Sequence, residues 1–167
     1  MNDHLFRFLN AVQKSDFWPL GLRRRLLRKM GVNIADGAII MSNCDFLQGR
    51  ISIGRNTFVN QRCLFEGAGG IIIGEEVRIG HASLLLTSTH EIGNGVRRAG
   101  ALVRMPVVLE SGCWLGASCT ILAGAVIGER SIVGAGSVVI GALAKNELYV
   151  GSPARSRKKM SSEIVIS

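Results

Sequence analysis

Two hydrophobic rhythms divide the chain. Over the first thirty residues Leu5, Phe6, Phe8, Leu9 and Val12 are apolar at near-helical spacing. Pro19-Leu20-Gly21 interrupts that run. Leu22-Arg-Arg-Arg-Leu-Leu-Arg-Lys-Met30 then forms a short basic amphipathic stretch closed by Gly31. The pattern predicts a helical, basic lead-in over residues 1–31. Its charged side is either a solvated face or a surface resting on an anionic membrane.

From residue 32 the rhythm becomes six. Aliphatic residues recur at Ile53 and Val59, then at Ile73, Ile79 and Leu85, then from Leu109 through Leu115, Ile121, Ile127 and Val133 to Val139, with Phe65 keeping the phase. Gly often follows the aliphatic residue, as at positions 54, 74, 80, 116, 128 and 134. Four residues after it comes something small or β-branched, such as Thr57, Cys63, Ser83, Cys113, Cys119 or Ser137. A strand that turns a corner every six residues explains all three positions. The aliphatic side chain fills the axis, and the small residue sits where the interior narrows. The glycine is expected to supply the unusual backbone of the corner. Three such sides close a coil of about 18 residues, and coils stack as parallel strands about 4.8 Å apart. The expected domain is thus all-β over residues 32–155, with a basic tail over 156–167.

The rhythm breaks twice. Gly67-Ala-Gly-Gly70 adds two residues, and the segment 87–106 has no hexad phase at all. That segment carries His90, Asn94, Arg97, Arg98 and Arg104. An extruded loop cannot serve the coil's own core. Loops held on rigid scaffolds are where function concentrates, and about twenty residues is long for an incidental one.

Composition narrows the field. The 167 residues fit one domain, and 47% hydrophobic content with 19% charged excludes disorder. Twenty Lys and Arg against 12 Asp and Glu leave a formal charge of +8, which suits a phosphate-bearing partner. Nucleic acid is the weakest such partner, because no aromatic residues interleave the charge. The four cysteines, Cys44, Cys63, Cys113 and Cys119, include no Cys-x-x-Cys pair, and three fall on the small inward position. They are read as core residues of a reduced, cytoplasmic protein. Charge interrupts the opening residues before a signal peptide's apolar stretch could form, and no apolar run reaches membrane-spanning length.

Three segments carry a resemblance. They are Thr87-Ser-Thr-His90 with its arginine-containing loop, Cys113-Trp114-Leu-Gly116-Ala117-Ser, and Ile132-Val-Gly-Ala-Gly-Ser137-Val-Val leading to Gly151-Ser-Pro-Ala-Arg155. With the hexads, they make the chain over roughly residues 32 to 155 resemble the hexapeptide-repeat acyltransferases, in the sugar O-acetyltransferase branch of the maltose, galactoside and capsular-polysaccharide enzymes. The resemblance implies a left-handed parallel β-helix, a homotrimer with sites between subunits, and acetyl-CoA as co-substrate without a metal. It implies His90 as the catalytic base and Asn60 as an acceptor-site residue. Ala117 and Ala135 match positions that meet the pantetheine arm, Trp114 an aromatic beside that channel, and Arg155 a basic residue near the 3′-phosphate. The sequence departs from the family's pattern where Glu91 replaces the usual Pro and Ala144-Lys-Asn-Glu-Leu148 replaces a Lys-Asp-Ile-Pro-Pro stretch.

The residues support that chemistry. A histidine titrates near neutral pH and suits removal of a hydroxyl proton. A thioester is already activated, so neither a metal nor an acyl-enzyme is needed. The expected function is acetyl transfer from acetyl-CoA to a hydroxyl of a sugar or glycan precursor. Amino-sugar N-acetylation and a non-catalytic β-helix scaffold are the alternatives. A zinc-dependent carbonic anhydrase on the same coil would need three histidines; the chain has three in all, and His4 lies outside the coil. His81 reads as an exposed or site-lining residue. Asn60 could simply stabilise a turn, and Arg97, Arg98 and Arg104 could meet a phosphate or an acidic sugar. The expected location is the cytoplasm, with peripheral contact at the inner face of the membrane.

Overall fold

The computed structural model describes residues 3–47 and 49–160. The end of the expected basic tail, 161–167, lies outside the described residues, as do residues 1 and 2 of the lead-in. Two helices, α1 (Asp3–Gln13) and α2 (Leu20–Lys29), precede a parallel β-solenoid of about six turns.

The solenoid has three faces. The first stacks Asn33–Ile34, Ile51–Ile53, Ile71–Ile73, Val107–Leu109, Val126–Ile127 and Ala142–Leu143. The second stacks Ile39–Ile40, Phe58–Val59, Arg78–Ile79, Trp114–Leu115, Ile132–Val133 and Glu147–Val150. The third stacks Asp45–Phe46, Leu64–Glu66, Leu84–Leu86, Thr120–Ile121 and Val138–Val139. Leu109 pairs with Ile127, Leu115 with Val133 and Ile121 with Val139, each one 18-residue coil apart. Ile53 pairs with Ile73, a longer step that absorbs residues 67–70. Ile73 pairs with Leu109 across the whole extruded segment, so the coil resumes its phase as if nothing intervened.

Burial explains the period. Leu85, Leu109, Leu115, Ile121, Ile127, Val133 and Val139 are fully enclosed along the axis. Each such side chain contributes about 1.5–3 kcal/mol relative to exposure. Phe46 and Phe65 stack in adjacent coils with ring centroids 4.8 Å apart. All four cysteines are buried and free, and burial pushes the Cys113 thiol up to about 11 and raises Cys119 as well. Their sulfurs lie against backbone carbonyls of the next coil, Cys113 at 3.1 Å from Gly128 O and Cys119 at 3.3 Å from Gly134 O.

The corner glycines work differently from expectation. The left-handed backbone falls one residue before each small inward residue: at Asn56 before Thr57, Arg62 before Cys63, Ala82 before Ser83, Ser118 before Cys119 and Gly136 before Ser137. The glycines after the aliphatic residue, such as Gly80 and Gly116, are not left-handed. They are needed for close approach: a Cβ on Gly80 would lie 2.5 Å from the Gly116 carbonyl carbon, and one on Gly116 would lie 2.5 Å from the Ala135 nitrogen.

The lead-in closes one end. Asn10 and Gln13 on α1 are buried, and their amides reach Asp45 Oδ1 at 2.9 Å and Cys44 O at 2.7 Å. Arg23 on α2 is 2% exposed and gives its guanidinium to the carbonyls of Gln13, Ser15 and Ile40. Leu27 is fully buried beside it, and Gly31 (φ 93) ends the helix. The apolar side of the basic stretch is therefore spent on the coil's end. At the other end Arg155–Lys159 pairs antiparallel with Glu147–Val150 and caps the second face.

Candidate active site

The extruded segment is a two-stranded hairpin. Ser88–Ile92 pairs antiparallel with Ala99–Arg104, placing Ser88 opposite Arg104, Thr89 opposite Val103 and His90 opposite Leu102. Its root is tied to the coil by one carboxylate. Glu66 Oε2 accepts from the Thr87 N–H at 2.8 Å, and Glu66 Oε1 accepts from the Ser88 hydroxyl at 3.1 Å and the Ala68 N–H at 3.2 Å. The Thr87 hydroxyl is itself buried and lies 2.7 Å from the Glu66 carbonyl. Partial burial pushes the Glu66 carboxyl up, but these hydrogen bonds outweigh it and hold the group below the usual carboxylate range.

The pairing becomes irregular just past His90, and two glycines make that irregularity feasible. A Cβ on Gly93 would lie 2.1 Å from Arg97 O, and one on Gly100 would lie 2.9 Å from Glu91 O. Asn94 Oδ1 accepts from the N–H groups of Val96 and Arg97 and turns the tip. The bulged strand brings Gly100 O within 3.1 Å of His90 Nδ1. The carbonyl can only accept, so the ring donates from Nδ1; in a neutral imidazole that arrangement puts the acceptor at Nε2. The orienting group is thus a backbone carbonyl and not the Glu91 carboxylate. His90 is exposed.

The other candidate residues gather elsewhere. Asn60, Gly80, Gly116 and Gly134 follow one another up the corner between the second and third faces, each N–H bonded to the carbonyl of the next coil. Ala117 and Ala135 come next along that corner in adjacent coils, and both are exposed. Small side chains there leave the backbone of the corner accessible. Trp114 projects from the second face beside this corner and is 53% exposed, as its place next to inward Leu115 requires. Arg155 pairs with Val150 at the top of the same corner and is exposed. Asn60 Oδ1 accepts from the Gln61 N–H at 2.9 Å, a local bond at the corner that leaves the donors of its side-chain amide available. The hairpin, by contrast, roots at the corner between the third and first faces. One chain therefore brings Asn60, Trp114, Ala117, Ala135 and Arg155 to one corner and starts the His90 hairpin from another.

Glu66 was missed by the pattern of hexads. Its signal was present: it is the charged residue in an outward column otherwise filled by Leu86 and aliphatic neighbours, placed directly before the first break. Gly100 was missed too, because a glycine inside a short strand gives no hint of which carbonyl it exposes. Among the described residues no three His, Cys, Asp or Glu side chains come together as a metal-binding group.

A hexad solenoid that resumes its phase around a hairpin bearing a free imidazole defines a class, the hexapeptide transferases. The family model for the bacterial transferase hexapeptide (six repeats) matches residues 106–141. A Staphylococcus aureus protein provisionally named as an acetyltransferase is 32% identical over 157 residues, covering 93% of this chain and 77% of that protein. A fission-yeast relative, Schizosaccharomyces pombe, is 34% identical over 113 residues, and the chain spans only 55% of its length. Two solved structures superpose over 95% of this chain. A hexapeptide-repeat acetyltransferase of Vibrio cholerae in complex with acetyl coenzyme A has a TM-score of 0.77 at 25% identity, with 86% of that chain covered. A maltose O-acetyltransferase of Clostridium difficile has a TM-score of 0.71 at 26% identity, with 83% covered. The chain belongs to the hexapeptide-repeat acetyltransferases.

Proposed function

We propose that this protein moves the acetyl group of acetyl-CoA to a hydroxyl of a sugar or glycan precursor, with His90 as general base. The observation that carries the reading is the Nδ1 contact to Gly100 O, a carbonyl that can only accept, so that in a neutral imidazole the proton sits on Nδ1 and Nε2 is the acceptor. Nε2 takes the proton as the acceptor hydroxyl attacks the thioester carbonyl. The tetrahedral oxyanion collapses, the C–S bond breaks, and the proton passes to the departing coenzyme A thiolate. No acyl-enzyme forms, and burial, which raises the Cys113 and Cys119 thiols, makes them poor nucleophiles for one.

The corner holding Ala117 and Ala135 is the proposed track of the pantetheine arm, with Trp114 flanking it and Arg155 meeting the 3′-phosphate. Asn60 is the proposed acceptor contact. The coil is left-handed in this reading, as the family resemblance implies. The hairpin's root on a different corner favours completion of each site by a second copy, hence a homotrimer. Arg104 adds a clue to the acceptor. It lies on the same hairpin face as His90, two ladder steps away, and its guanidinium has no partner among the described residues. An acidic or phosphorylated sugar fits that pair better than a neutral one. The protein works in the cytoplasm.

The test measures thiol release from acetyl-CoA across neutral, acidic and phosphorylated sugars, with coenzyme A binding followed separately. His90→Ala should bind coenzyme A as tightly as the parent and lose transfer. Full turnover in that variant removes His90 as the base. Absence of acetyl-CoA binding by the folded parent overturns the whole reading.

A further inference from the structure

The closed end of the solenoid presents a surface that carries none of the candidate site residues. Residues 3–30 hold seven basic residues against Asp3 and Asp16, most of the chain's formal excess of +8. Three of those cations are occupied. Arg23 is buried on backbone carbonyls, Arg28 bonds to Ile34 O and Asp36, and Lys14 is 2.6 Å from Asp45. Arg7, Arg24, Arg25 and Lys29 have no partner among the described residues.

Apolar groups lie among these free cations. Phe17, in the turn between the helices, is 97% exposed, Phe8 on α1 is 63% exposed and Leu20 at the start of α2 is 46% exposed. Leu20, Arg24 and Ile39 also line one shallow groove of about 290 Å³ between α2 and the first coil. Both helices bury their inner sides on the coil through Asn10, Gln13, Arg23 and Leu27. The rest of the two helices and the turn thus carry the exposed phenylalanines and the unpaired cations, with Arg24 at the edge where α2 meets the first coil.

We propose that this outer surface of the helical cap docks on an anionic lipid bilayer, with Phe17 and Phe8 entering the interface and Arg7, Arg24, Arg25 and Lys29 meeting the headgroups. The choice of occupant rests on complementarity. An exposed phenylalanine gains by leaving water for the acyl boundary, and unpaired arginines gain from anionic headgroups. A nucleic acid would satisfy the charge and leave the phenylalanines in water. The residues differ from those the sequence pattern points to: the apolar side of residues 22–30 faces the coil, so the turn and α1 supply the inserting groups. No helix among the described residues is long and apolar enough to cross a membrane, so the contact is peripheral. The inference stands on this surface alone, and its failure leaves the transferase reading intact.

Flotation of the full-length protein with lipid vesicles tests it. Vesicles of phosphatidylcholine with phosphatidylglycerol should carry the protein, pure phosphatidylcholine vesicles should not, and high salt should release it. The double variant Arg24→Gln with Arg25→Gln should weaken association by about fivefold per residue. Phe17→Ser should weaken it as well, with coenzyme A binding and oligomeric state unchanged. Failure to float with anionic vesicles overturns the proposal. So does equal flotation by Phe17→Ser, or a change in oligomeric state in that variant, which would assign Phe17 to contact with a second copy.

Discussion

In the coils, every sixth side chain is sealed against the axis, and Leu115 and Ile121 have no exposed surface. In the hairpin Ser88–Arg104 no residue is fully buried, and Ile92 and Val96 are almost wholly in solvent. Both regions are built of strands, yet different forces specify them. Burial against neighbours above and below fixes the coil. Local devices fix the hairpin: the Asn94 turn, the glycine-permitted bulge and the Glu66 clasp at its root. Stability and chemistry should therefore separate by region.

The sharpest way to break that separation is His90→Gln. The glutamine can keep a hydrogen bond near the hairpin but cannot act as the base. Turnover should fall by about 10²–10⁴-fold, while the denaturant midpoint stays at the parental value. A large drop in that midpoint would show that the hairpin is part of the cooperative core after all.

The converse change is Leu115→Ala. It empties a fully buried position one residue from exposed Trp114. The loss should be about 2–5 kcal/mol by denaturant unfolding. Activity per folded molecule should change little at temperatures where the coil holds.

Gly116→Ala joins the two regions' logic. The added methyl meets Ala135 backbone rather than a flexible side chain. The coils must spread, at a cost of about 1–3 kcal/mol. Because Ala117 and Ala135 flank that contact, coenzyme A affinity should weaken in parallel, as calorimetry would read. Loss of stability without loss of affinity would move the cofactor track off this corner.

The hexads made the solenoid legible because one physical demand, an enclosed axis, repeats at Ile53, Val59, Ile73 and onward. The extrusion of residues 87–106 was legible as a loss of phase. The role of the glycines was not. Gly80 and Gly116 respond to the neighbouring coil, and a single strand does not reveal which backbone will lie against it. His90 could be singled out by its place at the break, whereas its orienting partner Gly100 depends on a bulge set ten residues away. The corner that gathers Ala117, Ala135 and Arg155 came from the family resemblance, and the fold places the three along one line without testing what they bind. Arg23 illustrates the remaining gap. In sequence it is one of a run of three arginines, and only the packing of α2 on the coil shows that it is buried and its neighbours are not.

The smallest expected effect concerns Glu66, where the two regions meet. Its carboxyl titrates lower in the folded protein than its ordinary value, because four donors outweigh the cost of partial burial. A depressed folded value means that ionised Glu66 favours the native state at pH above the ordinary carboxylate range. That contribution fades as pH falls through the folded value. Glu66→Gln keeps the shape and some hydrogen bonds but removes the charge-assisted ones, at a cost of about 1–3 kcal/mol near neutral pH. The difference in melting temperature between parent and variant should therefore be largest near neutrality and shrink steadily in acid. Amide exchange in Ser88–Ile92 should quicken in the variant while the axis strands stay protected. A difference that does not change with pH would show that Glu66 clasps the hairpin by shape alone, and that its charge has no part in holding His90 in place.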